Sequence, residues 1–256
     1  MTPKAFCLFS GKIILNIIQQ FRIYLSYLFI QKSYSQFGED LVIKNHLEWL
    51  GKDPKSKGFY VDIGAYHPLG ASNTYKLYKN GSSGVAVDVG SQKKILFNLL
   101  RRRDIFIDAA VVTDNYSDKF VMFNIDGYGS ESDSVVGYGI GDAKVHNSHN
   151  TRKVKALTIS ELLRYSFSTK PADNANWSVL NIDIEGLDED VIKSIDFEKY
   201  PFDIICVEVF PLDEWNKINE YLNSPVNKTM DAAGYSLQSI CGPTLIYLRK
   251  KSLLRK

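Results

Sequence analysis

Short apolar runs alternate with amphipathic segments along most of the chain from Gly58 onward. Apolar runs of this length predict buried strands, and apolar residues at helical spacing predict the helices between them. The predicted strands are residues 59–63, 84–88, 105–111, 178–184 and 203–210. The predicted helices are residues 72–80, 91–102, 188–195 and 212–223. This alternation predicts an α/β fold with a parallel sheet and right-handed crossovers.

Two further segments flank the alternating region. A helix is predicted after Gly38, because Glu39 and Asp40 fall in a first turn and Gly51 follows the last apolar residue. At the other end, residues 235–250 contain two strand-like runs around a glycine-proline pair. These two runs predict an antiparallel pair at one edge of the sheet.

The first 34 residues predict a separate amphipathic helical extension. One face is apolar and the opposite face carries polar side chains. The apolar face contains Ile13, Ile14, Ile17, Ile18, Phe21, Tyr24, Leu25, Leu28 and Phe29. The polar residues argue against a transmembrane span, and no small-residue cleavage site follows that would indicate a signal peptide. The helix is expected either to lie in a membrane interface or to pack on the protein's own domain.

Residues 113–157 interrupt the alternating pattern with many glycines and polar side chains. A loop of this length in a compact domain is usually functional or disordered. Within it, residues 124–150 combine glycines with tyrosines and histidines, which suits a mobile lid over an acceptor molecule. The residues expected to contact the acceptor are Tyr128, Tyr138, His146 and His149.

The distribution of charge along the chain argues against some classes of binding partner and for others. Residues 35–248 hold 22 basic and 29 acidic residues, whereas residues 1–34 hold four basic residues and no acid. An acidic central region argues against nucleic-acid binding, which requires a basic face. Basic ends would suit an anionic membrane surface, although they could also serve only solubility. The three cysteines lie far apart, so neither a disulfide framework nor a zinc site is indicated, and a cytoplasmic location is expected.

Every predicted strand ends on or beside a carboxylate. Ligands of open α/β sheets bind beyond the carboxyl ends of the strands, so these acids should gather at one edge. They are Asp62, Asp88, Asp108, Asp183, Glu185 and Glu208. Any one of them could be a helix cap or a paired surface acid. Their repetition favours a ligand site, because carboxylates grouped at a buried edge repel one another.

The turn after the first strand indicates which ligand these acids suit. A dinucleotide site needs G-x-G-x-x-G and an acid about 20 residues further on. Asp88 supplies the acid, but Gly64 is followed by no such glycine pattern. The turn therefore lacks the glycines that would bind a pyrophosphate, and S-adenosylmethionine is a better match for these acids. Asp88 could bind its ribose diol and Asp108 its adenine edge, while Gly64 would let the backbone approach closely.

The motifs SQFGED, FYVDIGAYHP…SNTY, GVAVDV and LNIDIEGLDEDVIKSIDF…ICVEV resemble the FkbM family of S-adenosylmethionine-dependent O-methyltransferases. The resemblance begins near Ser35, so residues 1–34 form the extension and residues 35–256 the methyltransferase domain. It implies a class I methyltransferase (Rossmann-like) fold, with a doubly wound seven-stranded sheet whose last strand is antiparallel. It also implies methylation of a hydroxyl on a sugar, a glycan or a related natural product.

A set of cofactor-binding residues is expected at the strand ends and in the turns that follow them. They are Asp62, Gly64, Ala65, Asn73, Asp88, Asp108 and Ala109. One motif departs from many relatives, which carry glutamate and then proline or asparagine after the second strand. This chain has DVGSQ there, so its adenine pocket is expected to differ in shape.

Methyl transfer requires an acceptor oxygen in line with the sulfonium methyl and a base for its proton. The candidate bases are His67, Asp183 and Glu185, together with His146 and His149 in the long loop. His67 should face the cleft, unless it only caps a helix, and Asp183 could instead bind the amino group of the cofactor. Asp183 and Glu185 should share one face of a strand. Two carboxylates do not complete a six-coordinate site, so no metal site is assigned and metal dependence is left open.

Two other functions remain as alternatives. An NAD-linked oxidoreductase would need the phosphate-binding glycines that are missing. A non-catalytic, membrane-associated binding protein could keep the fold without the chemistry. If the N-terminal helix binds lipid, the protein would be peripheral at the inner membrane face.

Overall fold

A computed structural model describes residues 33–124, 134–136, 151–209 and 218–253. The predicted N-terminal helix and most of the predicted lid lie outside these residues. The helices are α1 (Glu39–Trp49), α2 (Tyr75–Lys79), α3 (Ser91–Leu100), α4 (Ile159–Phe167), α5 (Lys170–Asp173), α6 (Asp188–Lys193), α7 (Ile218–Asn223), α8 (Pro225–Ala232) and α9 (Lys250–Leu253). The strands are β1 (Phe59–Ile63), β2 (Ser83–Asp88), β3 (Ile105–Asp108), β4 (Ala110–Val112), β5 (Phe120–Asn124), β6 (Ser134–Val135), β7 (Thr151–Thr158), β8 (Ser178–Ile182), β9 (Ile204–Glu208), β10 (Tyr235–Cys241) and β11 (Thr244–Arg249).

The main sheet has seven strands in the order β3-β2-β1-β8-β9-β11-β10. Its pairs from β3 to β9 are parallel. The last strand, β11, runs antiparallel to both of its neighbours, β9 and β10. A mixed α/β fold with a seven-stranded sheet and an antiparallel last strand is therefore confirmed.

The strand order creates a crevice between β1 and β8. From β1 the chain moves outward to β2 and β3, and it later returns to β8 on the other side of β1. Connections that leave two adjacent strands in opposite directions open a space at their carboxyl ends, where ligands of such sheets bind. The acids predicted to end these two strands lie at this point.

Both faces of the main sheet are covered by helices. Val61 of β1 and Leu180 of β8 belong to an apolar cluster that includes buried side chains of α4, α6 and α8. The alternate residues Tyr60 and Val179 belong to a second cluster with buried side chains of α1 and α2. Because successive strand residues point to opposite faces, the central strands are apolar throughout. This coverage explains why their sequence shows continuous apolar runs.

A second sheet, in the order β4-β7-β5-β6, corrects two sequence predictions. The strand predicted over residues 105–111 is interrupted at Ala109, so β3 joins the main sheet and β4 joins the second. The region 113–157, predicted to be a loop, contains β5, β6 and β7. In β5 the side chains alternate between exposed and buried from Phe120 to Phe123, which is the period of a half-exposed strand. This weaker pattern was masked by the surrounding glycines.

Among the described residues, none of the helices is sufficiently long and apolar to cross a lipid bilayer.

Candidate active site

A pocket lies at the crevice between the carboxyl ends of β1 and β8. Its polar wall contains three carboxylates, from Glu39, Asp62 and Asp183, and three amides, from Gln36, Asn73 and Asn181. The remaining lining residues are Gly64, Ala65, Ala71, Ser72 and Thr244. No lysine, arginine or histidine of the described residues lines this pocket. The pocket therefore suits a ligand that carries positive charge.

Gly64 allows β1 and β8 to meet beneath the pocket. Its φ is 80°, and a Cβ placed on it would lie 1.6 Å from the carbonyl oxygen of Asp183. The backbone NH of Gly64 donates to Val87 at 2.9 Å, and the NH of Asp183 donates to Ile63 at 3.0 Å. The turn after β1 is thus fixed on both sides. A glycine is required here by the neighbouring backbone, whatever ligand the pocket holds.

Asp62 forms the floor of the pocket within a chain of hydrogen bonds. Its side chain is only 2% exposed. It accepts hydrogen bonds from the hydroxyl of Thr74 and, at 3.0 Å, from the amide of Asn181. Asn73 in turn donates to the amide oxygen of Asn181 at 2.9 Å. Burial raises the pKa of Asp62, and the positive charge of Arg101 opposes that rise.

Arg101 is a fully buried cation below this floor. Its Nε donates to Asp104 at 2.6 Å, and its Nη2 donates to the hydroxyls of Tyr60 and Thr74 at 3.0 and 2.9 Å. Tyr60 also donates to Asp104 at 2.6 Å. The buried guanidinium is therefore connected to the pocket through two hydroxyls: that of Thr74, which also donates to Asp62, and that of Ser72, which accepts from Nη1 at 3.3 Å.

Asp88 and Asp108 lie opposite each other at the ends of β2 and β3. Asp88 accepts hydrogen bonds from the backbone NH of Tyr66 at 2.6 Å and from the Nζ of Lys93 at 2.8 Å. Asp108 accepts a hydrogen bond from the NH of Gly90 at 2.8 Å. Both acids therefore shape the turns beside the pocket. Neither lines the part of the pocket that Asp62 and Asp183 form.

His67 does not face the pocket, contrary to the sequence prediction. Its side chain is 4% exposed, and its Nδ1 accepts hydrogen bonds from the NH groups of Leu69 and Gly70 at 3.2 and 3.1 Å. Burial, with a smaller effect from Lys93, lowers the pKa of His67 to about 4. Because its acceptor nitrogen is used by the backbone, the geometry favours the capping role over that of a general base.

Asp183 and Glu185 occupy a turn rather than a strand, which corrects a second prediction. Strand β8 ends at Ile182, and Glu185 has a φ of 54°. Asp188 holds this turn, since its carboxylate accepts hydrogen bonds from the NH groups of Ile184 and Gly186, both at 3.0 Å. Burial, and after it the charge of Asp183, raises the pKa of Asp188 to about 7.

Glu208, at the end of β9, joins Asp183 and Glu185 in a carboxylate cluster. One carboxylate oxygen from each residue lies within 4.8 Å of the other two. Burial raises the pKa of both Asp183 and Glu208, and the neighbouring Asp183 carboxylate raises that of Glu208 further. The ends of β8 and β9 therefore bring several carboxylates into one partly buried place.

Sequence reasoning missed several residues that build this site. Glu39 was assigned only to the first turn of a helix, yet it lines the pocket and accepts a hydrogen bond from Thr244. Asn181 sits inside the apolar run of β8, where a buried amide is itself a signal of a polar partner. Arg101 lies in a run of three arginines that resembles a solvated surface. Only the folded chain distinguishes it from its exposed neighbours.

These observations define an α/β protein with an acidic ligand pocket at the switch point of a seven-stranded sheet. The family model of the methyltransferase FkbM domain matches residues 62–237, so the chain belongs to the FkbM methyltransferase family. This match confirms the resemblance that the sequence motifs indicated. No curated protein and no solved structure matches the chain.

Proposed function

We propose that the protein is an S-adenosylmethionine-dependent O-methyltransferase that acts on a hydroxyl of a sugar, a glycan or a related natural product. The observation that carries this proposal is the acidic pocket beside Gly64, lined by Glu39, Asp62 and Asp183 without a basic side chain among the described residues. S-Adenosylmethionine carries a positive sulfonium and a positive ammonium group, which such a pocket favours. The anionic pyrophosphate of NAD would be repelled there.

The strand order supports the same proposal. The order β3-β2-β1-β8-β9-β11-β10, with β11 antiparallel, fits the class I methyltransferase topology that the family resemblance implies. In this reading Asp88 accepts from the ribose diol, and Asp108 and Ala109 border the adenine. Gly64, Ala65 and Asn73 border the methionine part of the cofactor, next to Asp62.

Asp183 is the general base that the geometry supports best. It lines the pocket, and burial raises its pKa, so it accepts a proton more readily than an exposed aspartate. In the reaction the acceptor oxygen bonds the methyl carbon, the sulfur keeps the electron pair of the broken bond, and the base takes the hydroxyl proton. Such a base contributes about 10²- to 10⁴-fold to a rate that alignment largely provides. Glu185, in the same turn, is the alternative base.

Calorimetry with the full chain tests cofactor binding. S-Adenosylmethionine should bind with micromolar Kd, equivalent to roughly −8 kcal/mol. Asp88→Ala should raise Kd by at least about tenfold, since the diol loses its acceptor. Lys93→Met is the matched control, because it removes the ion pair at 2.8 Å but keeps the Asp88 carboxylate. Its Kd should be unchanged or lower.

Two results would contradict the proposal. One is tight binding of NAD with no heat from S-adenosylmethionine, and the other is an unchanged Kd in Asp88→Ala. The acceptor class is tested by incubating the protein with labelled cofactor and glycan or lipid-linked sugar mixtures. Mass spectrometry should then detect the gain of one methyl group.

A further inference from the structure

The carboxylate cluster of Asp183, Glu185 and Glu208 has the dimensions of a cation site. Its three oxygens come from the ends of two adjacent strands and lie within 4.8 Å of one another. Two oxygens bound to one Ca²⁺ can be at most about 5 Å apart, and two bound to one Mg²⁺ about 4.2 Å. The oxygen spacing is therefore in the range that one calcium-sized ion can bridge, and a magnesium-sized ion requires the oxygens to move closer together.

The environment of Glu208 points independently to a ligand. Its side chain is 8% exposed, and its Oε2 has no hydrogen-bond partner among the described residues. A buried carboxylate oxygen without a partner is costly, and such groups in native structures usually have a partner that the protein alone does not supply. Within the described part of the chain, neither Asp183 nor Glu208 forms an ion pair with lysine or arginine.

Two cations beside the pocket, both among the described residues, are engaged by other groups. Arg101 is held by Asp104 and three hydroxyls, and Lys93 is held by Asp88. The turn that carries Glu185 is fixed by Asp188, so its carboxylate is presented to the cluster without a large rearrangement.

We propose that Asp183, Glu185 and Glu208 bind one hard divalent cation, of the class of Mg²⁺, Mn²⁺ or Ca²⁺. Carboxylate oxygens select hard cations, and the cluster offers no thiolate or imidazole for a softer one. Three protein ligands leave coordination positions for water or for oxygens of another molecule. Since Asp183 also lines the pocket, those positions border the place where a ligand would lie.

A role in holding the acceptor follows, and this part rests on the proposed function. A cation at the cluster can take an acceptor hydroxyl as a ligand and align it with the pocket. A cation-bound hydroxyl loses its proton more readily, so water could accept that proton. Asp183 would then hold the cation rather than act as the base.

Manganese titration of the metal-stripped full chain, without cofactor, tests the site. The electron paramagnetic resonance signal of free Mn²⁺ should fall as one ion binds per chain, and excess Mg²⁺ should restore it. Glu208→Gln should weaken Mn²⁺ binding by at least about tenfold, because it removes one ligand charge. Asp190→Asn is the matched control, since it removes an exposed acid of α6 from outside the cluster. Its affinity should equal that of the wild type.

Thermal unfolding gives a second readout on the same samples. At a Mn²⁺ concentration ten times its Kd, the Tm of the wild type should rise by about 3 to 6 °C. Glu208→Gln should unfold without metal close to the wild-type Tm, because glutamine keeps the size of the side chain, and its Tm should not respond to Mn²⁺. If that variant does not fold, Glu185→Gln provides the same comparison.

The proposed site is wrong if the chain does not bind Mn²⁺. It is also wrong if both glutamine variants bind Mn²⁺ with the wild-type affinity. A failure of the proposed function gives a different result: the chain would then not bind S-adenosylmethionine but would still bind Mn²⁺. If the stripped enzyme transfers methyl as fast as the Mg²⁺-loaded enzyme, the acceptor role is wrong.

Discussion

Single residues at the pocket are held in conformations that their side chains do not favour. Of the residues that the structure describes, three that are not glycine have positive φ, namely Tyr66, Ala71 and Glu185, at 43°, 48° and 54°. Tyr66 and Ala71 flank the turn that follows β1, and Glu185 follows β8. Residues held in this region cost of order 1 kcal/mol each and persist where surrounding contacts over-determine them. Their grouping around one crevice is what a pre-organised binding site would show.

Gly64→Ala should destabilise the protein severely. The added Cβ would meet the backbone oxygen of Asp183, which cannot move without breaking the pairing of β1 and β8. The expected loss is more than about 3 kcal/mol in the free energy of unfolding. Gly51→Ala is the control, because Gly51 has a similar φ of 71° but open space around it, and it should lose only about 1 kcal/mol. Urea unfolding of both variants measures the difference, and equal losses would contradict the steric explanation.

His67→Asn separates a capping role from a catalytic one. An asparagine oxygen can accept the same backbone NH groups but does not titrate. The pKa of His67 is lowered from its ordinary 6.5 to about 4, so below pH 6.5 the unfolded chain binds a proton that the folded chain does not. Wild-type stability should therefore fall as the pH is lowered, by about 2 kcal/mol between pH 7 and pH 5 from this group.

In His67→Asn this part of the pH dependence should disappear, while turnover at pH 7 stays near the wild-type value. Urea unfolding at both pH values and a methyl-transfer assay measure the two effects. If turnover falls by about 100-fold or more while stability is kept, His67 is the base after all.

The strands that are buried on both faces could be predicted from the sequence, and the strands that are buried on only one face could not. The apolar runs of β1, β2, β8 and β9 were predicted because both faces of the main sheet are covered. The half-exposed strands of the second sheet were lost among glycines and charged residues. Helix α4 was missed although Thr158 and Glu161 form a capping box that the sequence displays.

Of the residues that line the site, those at the ends of strands could be predicted and those brought in by tertiary packing could not. Asp62 and Asp183 were found because strand ends converge by topology, whichever residues lie between them. Glu39 comes from a helix at one end of the chain and Thr244 from the last strand. Their meeting depends on tertiary packing, which no local pattern encodes.

The segment between β6 and β7 is the element to replace in a test of the predicted lid. Strands β6 and β7 are both antiparallel to β5 and flank it, so their connection must cross β5, and a glycine-serine linker of the same length should replace residues 137–150. The variant should keep its Kd for S-adenosylmethionine, because no residue of the pocket is removed. It should lose most of its turnover, since the predicted acceptor contacts at Tyr138, His146 and His149 are gone. Full turnover would contradict the lid.

At the scale of the whole molecule, charge is divided between an acidic central region, residues 35–248, and basic residues near both ends of the chain. Lys4, Lys12, Arg22 and Lys32 surround the predicted apolar helix face and no acid accompanies them. The site itself is acidic and would repel an anionic surface. We therefore predict that any attachment to anionic lipid uses the extension rather than the acidic central region.

Removal of residues 1–31 tests this attachment. If the extension binds lipid, the truncated protein should stay folded and keep its Kd for the cofactor, and it should lose binding to anionic vesicles in flotation at low salt. Neutral vesicles are the control, since they lack the headgroup charge. If truncation unfolds the protein, the extension packs on the domain instead. If the intact chain ignores anionic vesicles, the membrane prediction is wrong.

The hydrogen bond between Asp62 and Asn181 joins residues 119 positions apart in the chain. A ribosome that makes the protein must therefore complete β8 and release it from the exit tunnel before the pocket floor can exist. Until then β1 lacks its central neighbour, and the emerging chain exposes an apolar strand edge that could aggregate. Cofactor present during synthesis cannot assist the early steps, because it has nothing complete to bind. Its stabilising effect begins only once the two halves of the sheet have joined.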